Sequence, residues 1–145
     1  LLNRPRSPMP VPMRAGLFRT SLRFLTWVCV VLLAILSLTP SDKRQIIEMV
    51  RTDLPGQVEH IIAYAGSTGI ATAGYGLNRG VVRVIASFCL YAGVLEYLQN
   101  FSPGRNPALV DFAASALGAL CGGVAVVLFW RCRSAMLGSR SRCAT

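Results

Sequence analysis

The chain has 145 residues, of which 53% are hydrophobic and 14% are charged, and its net charge is +9. A soluble domain of this length carries a larger share of charged residues, so the composition predicts a protein that is solvated by a lipid bilayer. The positive charge does not predict a nucleic-acid-binding protein, because the basic residues lie at the two ends and in short connections, without a basic face or an aromatic platform.

The first 21 residues predict a basic and partly disordered arm. Four prolines fall between residues 5 and 12, where the sequence has no helical or strand periodicity. A first membrane span is predicted over residues 22–38, which carry no charge after Arg23 and can cross a hydrocarbon core of about 30 Å when their flanks are included. Since no small-residue cleavage site follows this segment, we interpret it as a retained span and not as a signal peptide.

A polar connection then extends to about residue 56. Thr39, Pro40 and Asp42 match the cap, the first-turn proline and the acidic residue of a helix start, and the apolar residues after them form one stripe. This pattern predicts a short helix that lies at the membrane interface and ends at Pro55.

Three further apolar segments of helical length follow, separated by short connections of the kind that join antiparallel helices. Lipid offers no partner to an unpaired backbone group, and runs of this length exclude a β-barrel, so each span is predicted to be a helix. The sequence therefore predicts an all-α fold, a polytopic four-helix transmembrane bundle, followed by a basic tail at 131–145. The predicted spans within the 22–130 domain are 22–38, 58–77, 81–98 and 109–130.

Small residues at helical spacing predict where two of these helices touch. Small side chains let helix backbones approach closely in lipid, where no hydrophobic effect holds helices together. We assign Gly69, Gly118 and Gly122 to this helix packing. The full sets in the second and fourth spans are Ala65, Gly69 and Ala73, and Ala114, Gly118 and Gly122.

The five cysteines predict neither a disulfide framework nor a zinc site. They form no C-x-x-C pair, and three of them lie in apolar runs, where cysteine behaves as a small hydrophobic residue. No metal and no cofactor is predicted for this chain.

The distribution of lysine and arginine predicts the orientation of the bundle. Eleven of the 15 basic residues lie in the N-terminal arm, around the connection between the second and third spans, or in the tail. The positive-inside rule then places both termini in the cytoplasm. The four basic residues on the opposite side are Lys43, Arg44, Arg51 and Arg105.

With this orientation, the unusual polar residues of the spans share the extracytoplasmic end of the bundle. Ionisable groups are costly in lipid and usually face partners or a water-filled cavity, so we predict a functional polar cluster. The simplest pairing sets Arg105 against Glu96 or Asp111. The alternative is that these side chains only reach interfacial water. The predicted cluster consists of His60, Tyr64, Glu96, Gln99, Arg105 and Asp111.

At these residues the chain resembles the VanZ-like family of small bacterial membrane proteins, named for a protein associated with resistance to the glycopeptide antibiotic teicoplanin. The stretch 96–105, Glu-Tyr-Leu-Gln-Asn-Phe-Ser-Pro-Gly-Arg, is similar to the family's E-x-x-Q-x-F-x-P-G-R pattern. It is followed, as in the family, by a spaced acid, Asp111, and by Gly118-Ala119.

A second match and two departures complete the resemblance, which covers about residues 56–123. His60 and Tyr64 are similar to the family's H-x-x-x-Y opening of the second span. Gly56-Gln57 stand where the family often has Asp-Lys, and Ser115 stands where it often has Asn. The first departure removes a charge from the cluster.

The resemblance implies a role in the bacterial cell envelope and a place in the cytoplasmic (inner) membrane, without an agreed reaction or substrate. We favour a non-enzymatic protein that binds an envelope lipid, a cell-wall precursor or an amphiphilic antibiotic, with Arg105 as the contact for an anion. The alternative is a membrane-embedded hydrolase or transferase of a lipid-linked substrate, with His60 as general base beside Glu96 or Asp111. A transport role would require a homo-oligomer, and a purely structural role would use the cluster to lock helix packing.

Overall fold

The computed structural model describes residues 12–39, 54–76, 80–104 and 107–142, and within these residues the chain forms four α-helices and no strand. Three helices are long and apolar enough to cross a membrane, over Gly16–Leu38, Gly80–Phe101 and Leu109–Met136. The predicted all-α membrane bundle is confirmed. The helices are α1 (Pro12–Leu38), α2 (Gly56–Tyr75), α3 (Gly80–Leu98) and α4 (Leu109–Arg142), with a 3-10 turn, Gln99–Phe101, after α3.

Helix α2 lies inside the bundle, where it contacts each of the other three helices and packs most closely on α4. It is not among the helices that are apolar enough to span by composition. Its buried residues include Ser67, Thr68 and Thr72, whose hydroxyl groups face protein and not lipid. The position of α2 in the bundle is therefore explained by its packing against the other helices. Its own hydropathy is too low to explain it.

Two helices extend well beyond their predicted spans. Helix α1 begins at Pro12, ten residues before the predicted start, and α4 continues to Arg142, twelve residues past the predicted end. At 1.5 Å per residue the helices are about 40 Å and 51 Å long, more than the roughly 30 Å of a hydrocarbon core. The predicted spans cover the apolar part of each helix, and the more polar residues beyond them are still compatible with a helix, so hydropathy does not mark where these helices end.

Helix α2 starts and stops two residues earlier than predicted. It follows Pro55, whose carbonyl accepts the first helical hydrogen bond from Val58 at 2.9 Å. It ends where Gly76 adopts a φ of 116°, a conformation that disfavours other residues, and donates its N–H to the carbonyl of Thr72. The interfacial helix predicted between residues 39 and 55 lies almost entirely outside the described residues.

The closest packing in the bundle is between the backbones of α2 and α4, which run parallel. A Cβ atom placed on Gly118 would collide with the carbonyl oxygen of Ile61, and one on Gly122 would collide with the carbonyl oxygen of Ala65. Gly69 continues the same face of α2 one turn further. Glycine is therefore required on α4 because no side-chain volume is left between the two helices.

Two threonines in α2 test whether the buried hydroxyl groups of the bundle form hydrogen bonds. Thr68 and Thr72 are fully buried, and within the described part of the chain neither hydroxyl has a hydrogen-bond partner. We expect Thr68→Val and Thr72→Val each to raise the free energy of unfolding by about 1 kcal/mol, because each removes a desolvated, uncompensated hydroxyl. Detergent unfolding followed by circular dichroism measures this change.

Thr26→Val is the matched control. Thr26 is also buried, but its hydroxyl donates to the carbonyl of Leu22 at 2.9 Å, so its removal should bring no gain. If both α2 variants lost stability, these hydroxyls would have partners in the folded protein and the expectation would be wrong.

Candidate functional site

The up-and-down order of the helices brings the end of α1, the start of α2, the end of α3 and the start of α4 to the same end of the bundle. Contacts fix this arrangement: the last turn of α2 at Gly74 lies against Leu22 in the first half of α1, and Ser37 near the end of α1 meets Gln99 just after α3. We call this end the polar end. Its described polar residues include Ser37, Gln57, Glu59, His60, Glu96, Gln99, Ser102, Asp111 and Ser115.

His60 on α2 contacts Ser115 on α4. The Ser115 hydroxyl lies 3.2 Å from Nδ1 of His60 and 2.9 Å from the carbonyl oxygen of Asp111. A hydroxyl has one proton, so either Ser115 donates to Asp111 while His60 donates from Nδ1, or Ser115 donates to Nδ1 and the ring proton sits on Nε2. Ser115 uses only Nδ1, which allows Nε2 to serve a ligand.

The Asp111 side chain contacts α2 at a second point. Its Oδ1 atom accepts a hydrogen bond of 3.4 Å from the amide of Gln57, at the exposed surface of the polar end. Asp111 also lies in the first turn of α4, where a negative charge is favoured by the helix dipole. In the sequence Gln57 is marked only by its departure from the family pattern, because nothing there pairs it with a residue more than 50 positions away.

Glu96 at the end of α3 holds the start of α4. One carboxylate oxygen accepts the backbone N–H of Ala108, and the other lies 3.5 Å from the side-chain amide of Gln99. The carbonyl of Ala108 accepts the first hydrogen bonds of α4, so the carboxylate sits at the positive end of that helix. Glu96 therefore satisfies a helix terminus and ties α3 to α4.

Gln99 and Ser102 tie the end of α3 to α1. Gln99 is 3% exposed and donates from Nε2 to the hydroxyl of Ser37 at 2.8 Å. The Ser102 hydroxyl donates to the carbonyl of Leu38, at the end of α1, at 2.9 Å. The most specific motif of the sequence, from Glu96 to Ser102, thus joins three helix ends.

Tyr64 lies one turn below His60, in the core of the bundle. Its side chain is 3% exposed and meets the ring of Phe88 on α3 edge to face, with ring centroids 6.5 Å apart. Tyr64 is therefore part of the apolar core beneath the polar end. His60, in contrast, contacts Ser115 on α4.

The predicted pairing of Arg105 remains a prediction, because Arg105 lies outside the described residues. The two acids proposed for it have other contacts: Glu96 bonds the backbone at Ala108, and Asp111 bonds Gln57. No group of three or more His, Cys, Asp or Glu side chains that could hold a metal occurs in the described ranges. Four cysteines there are free thiols, and Cys143 falls outside those ranges.

Comparison with known proteins identifies no relative of this chain. No family model, no curated protein and no solved structure matches the chain.

Proposed function

We propose that the chain is a VanZ-like membrane protein of the bacterial cell envelope that binds an amphiphilic envelope ligand at the polar end. The observation that carries this proposal is the contact of His60 with Ser115, which sits beside the Gln57–Asp111 contact and above an apolar core. Polar groups at the rim of an apolar bundle suit a ligand with a polar head and an apolar body. The order and spacing of the residues in the family resemblance support the same assignment.

Three ligand classes fit this description: an envelope lipid, a cell-wall precursor and an amphiphilic antibiotic. All three combine a hydrogen-bonding or anionic head with an apolar portion. Arg105 is the proposed contact for an anionic head, since a guanidinium can bind phosphate or carboxylate through two hydrogen bonds. His60 Nε2 is the proposed second contact.

The test is native mass spectrometry of the purified full chain with three probes: teicoplanin, a polyprenyl-pyrophosphate cell-wall precursor and the total lipid of the source membrane. We expect one class to bind wild type and to lose at least about tenfold in affinity in His60→Ala and in Arg105→Ala, because each change removes a bond to the charged or polar head. Asn100→Ala is the control, since Asn100 bonds the carbonyl of Tyr97 in its own turn. Unchanged binding in both variants would end the proposal.

Orientation belongs to the same proposal. With both termini in the cytoplasm, the polar end faces the extracytoplasmic side, where these ligands occur; the support is the excess of arginine at the end that carries the termini. Reporter fusions at positions 43, 79, 105 and in the tail should report outside, inside, outside and inside. Cytoplasmic signals at 43 and 105 would contradict an outward-facing site.

One contact favours the enzymatic alternative, a hydrolase or transferase of a lipid-linked substrate. A serine hydroxyl within reach of an imidazole nitrogen is the arrangement of a nucleophile and its base. Against it, Ser115 is 3% exposed and has a second contact with the carbonyl of Asp111. The alternative predicts that a fluorophosphonate probe labels Ser115 in wild type and fails to label His60→Ala, whereas the binding function predicts no labelling of either.

A further inference from the structure

At the end of the bundle opposite the polar end, every charged residue whose side chain the structure describes is an arginine: Arg19, Arg23, Arg83, Arg131 and Arg133. Residues 1–23, 77–83 and 131–145 contain eleven arginines and no aspartate or glutamate. All six acidic residues of the chain fall in the segments 39–59 and 96–111. The arginines of these segments therefore have no acidic neighbour in sequence.

Two helices project beyond α2 at this end. Gly74, in the last turn of α2, lies against Leu22, so residues 12–21 of α1 extend about 15 Å further. Gly69 faces Val126 on the parallel helix α4, which sets the end of α2 level with about residue 132 and leaves some ten residues of α4 beyond it. We call residues 12–21 of α1 and 131–142 of α4 the basic arms.

Arginines and apolar side chains are exposed side by side on these arms. Arg19, Arg131 and Arg133 are exposed, and so are Leu17 and Phe18, at 72% and 62%. Such a mixture suits the boundary between lipid and water, where apolar groups enter the acyl region and guanidinium groups stay among the headgroups.

Aromatic rings mark the same boundary. The guanidinium of Arg133 lies 5.3 Å from the ring centroid of Trp130, and that of Arg23 lies 5.2 Å from the ring centroid of Tyr75. Arg23 also donates from Nε to the carbonyl of Gly74 at 3.2 Å, which positions it at the end of α2. Trp and Tyr concentrate at the headgroup level of membranes, so these stacked arginines are expected at that depth.

We propose that the basic arms, with Arg83 on α3, bind anionic phospholipid headgroups of the adjoining leaflet. The headgroup layer extends only several ångströms beyond the hydrocarbon core, so arms of about 15 Å are long enough to reach its phosphate groups. Phosphate groups supply the negative charge that this end of the chain lacks, and a guanidinium binds phosphate through two hydrogen bonds. Nucleic acid is the less suitable partner, because Leu17 and Phe18 would remain in water.

The test is lipid selectivity of the purified full chain in detergent micelles that contain equal amounts of phosphatidylglycerol and phosphatidylcholine. Native mass spectrometry counts the retained lipids. We expect wild type to retain phosphatidylglycerol in an excess of about tenfold, and the variant Arg19→Gln/Arg131→Gln/Arg133→Gln to lose most of that excess. The matched control is Lys43→Gln/Arg44→Gln/Arg51→Gln, which removes the same charge from the α1–α2 connection and should keep the excess.

Wild type alone gives a second measurement that does not depend on the folding of a variant. The excess should fall steeply as NaCl is raised from about 50 to 500 mM, because exposed charge interactions are screened. An unchanged excess in the arm variant, an equal loss in the control, or insensitivity to salt would each overturn the proposal. Release of the phosphatidylglycerol by added transfer RNA would overturn it in favour of a nucleic-acid surface.

Discussion

Replacement of Gly122 by alanine is expected to lower the free energy of unfolding by about 3 kcal/mol, or to prevent folding. The new Cβ would collide with the carbonyl oxygen of Ala65 and lie 2.8 Å from its Cα atom. Both are backbone atoms of a hydrogen-bonded helix, which cannot rotate away as a side chain can. Detergent unfolding followed by circular dichroism measures the change, and Gly118→Ala should behave in the same way.

Two other glycine replacements serve as matched controls. Gly123→Ala would meet Cδ1 and Cγ1 of Ile85 at 2.7 Å and Cγ2 of Thr68 at 3.8 Å; these are side-chain atoms, and Ile85 can rotate away, so the change should cost clearly less. Gly66→Ala has open space around the new methyl group and should be neutral or slightly stabilising, since alanine is the better helix former. Equal effects at Gly122 and Gly66 would show that α2 and α4 are not packed backbone to backbone.

Replacement of Glu96 by alanine is expected to cost about 2 kcal/mol of stability, because the N–H of Ala108 then loses its acceptor at the start of α4. Glu96→Gln keeps an acceptor oxygen but loses the charge at the helix terminus, so it should cost about half as much. Hydrogen exchange at Ala108 should accelerate most in the alanine variant. If the glutamine and alanine variants were equally unstable, or exchange at Ala108 were unchanged, the capping role would be wrong.

The structural role of Glu96 decides how mutations at the polar end can be interpreted. Loss of ligand binding in Glu96→Ala would not identify Glu96 as a ligand contact, because the variant also loosens the junction of α3 and α4. His60 and Arg105 are better probes. Each should be compared with wild type at matched stability before a change in affinity is assigned to the ligand.

The sequence predicted the helices well where long apolar runs fix their positions or small residues fix their contact faces. Long apolar runs indicated the helices, three of which are apolar enough to cross a membrane, and the spacing of Gly118 and Gly122 indicated the face of α4 that lies on α2. The sequence could not give the full length of α1 and α4, since leaving the lipid ends an apolar pattern without ending a helix. It also could not show that α2 depends on its neighbours, because burial by protein and burial by lipid favour similar residues.

The sequence predicted which residues form the candidate site better than it predicted their hydrogen-bond partners. His60, Glu96, Gln99 and Asp111 do lie at one end of the bundle, as alternating helices require. Their partners were less predictable: Glu96 bonds a backbone N–H, which carries no sequence signature, and His60 bonds a serine that resembles any other small residue in a span. The role of Arg105 and the family assignment remain predictions.

The modest hydropathy of α2 constrains how the protein can be made. A segment rich in Gly, Ser and Thr, with Glu59 and His60 in its first turns, gains little by entering lipid alone. Helices α3 and α4, which follow it from the ribosome, are the apolar ones, and the groove that fits α2 is supplied by α4. We therefore expect the stable insertion of α2 to depend on α4, so that a chain truncated before Leu109 would hold this helix in the membrane less firmly.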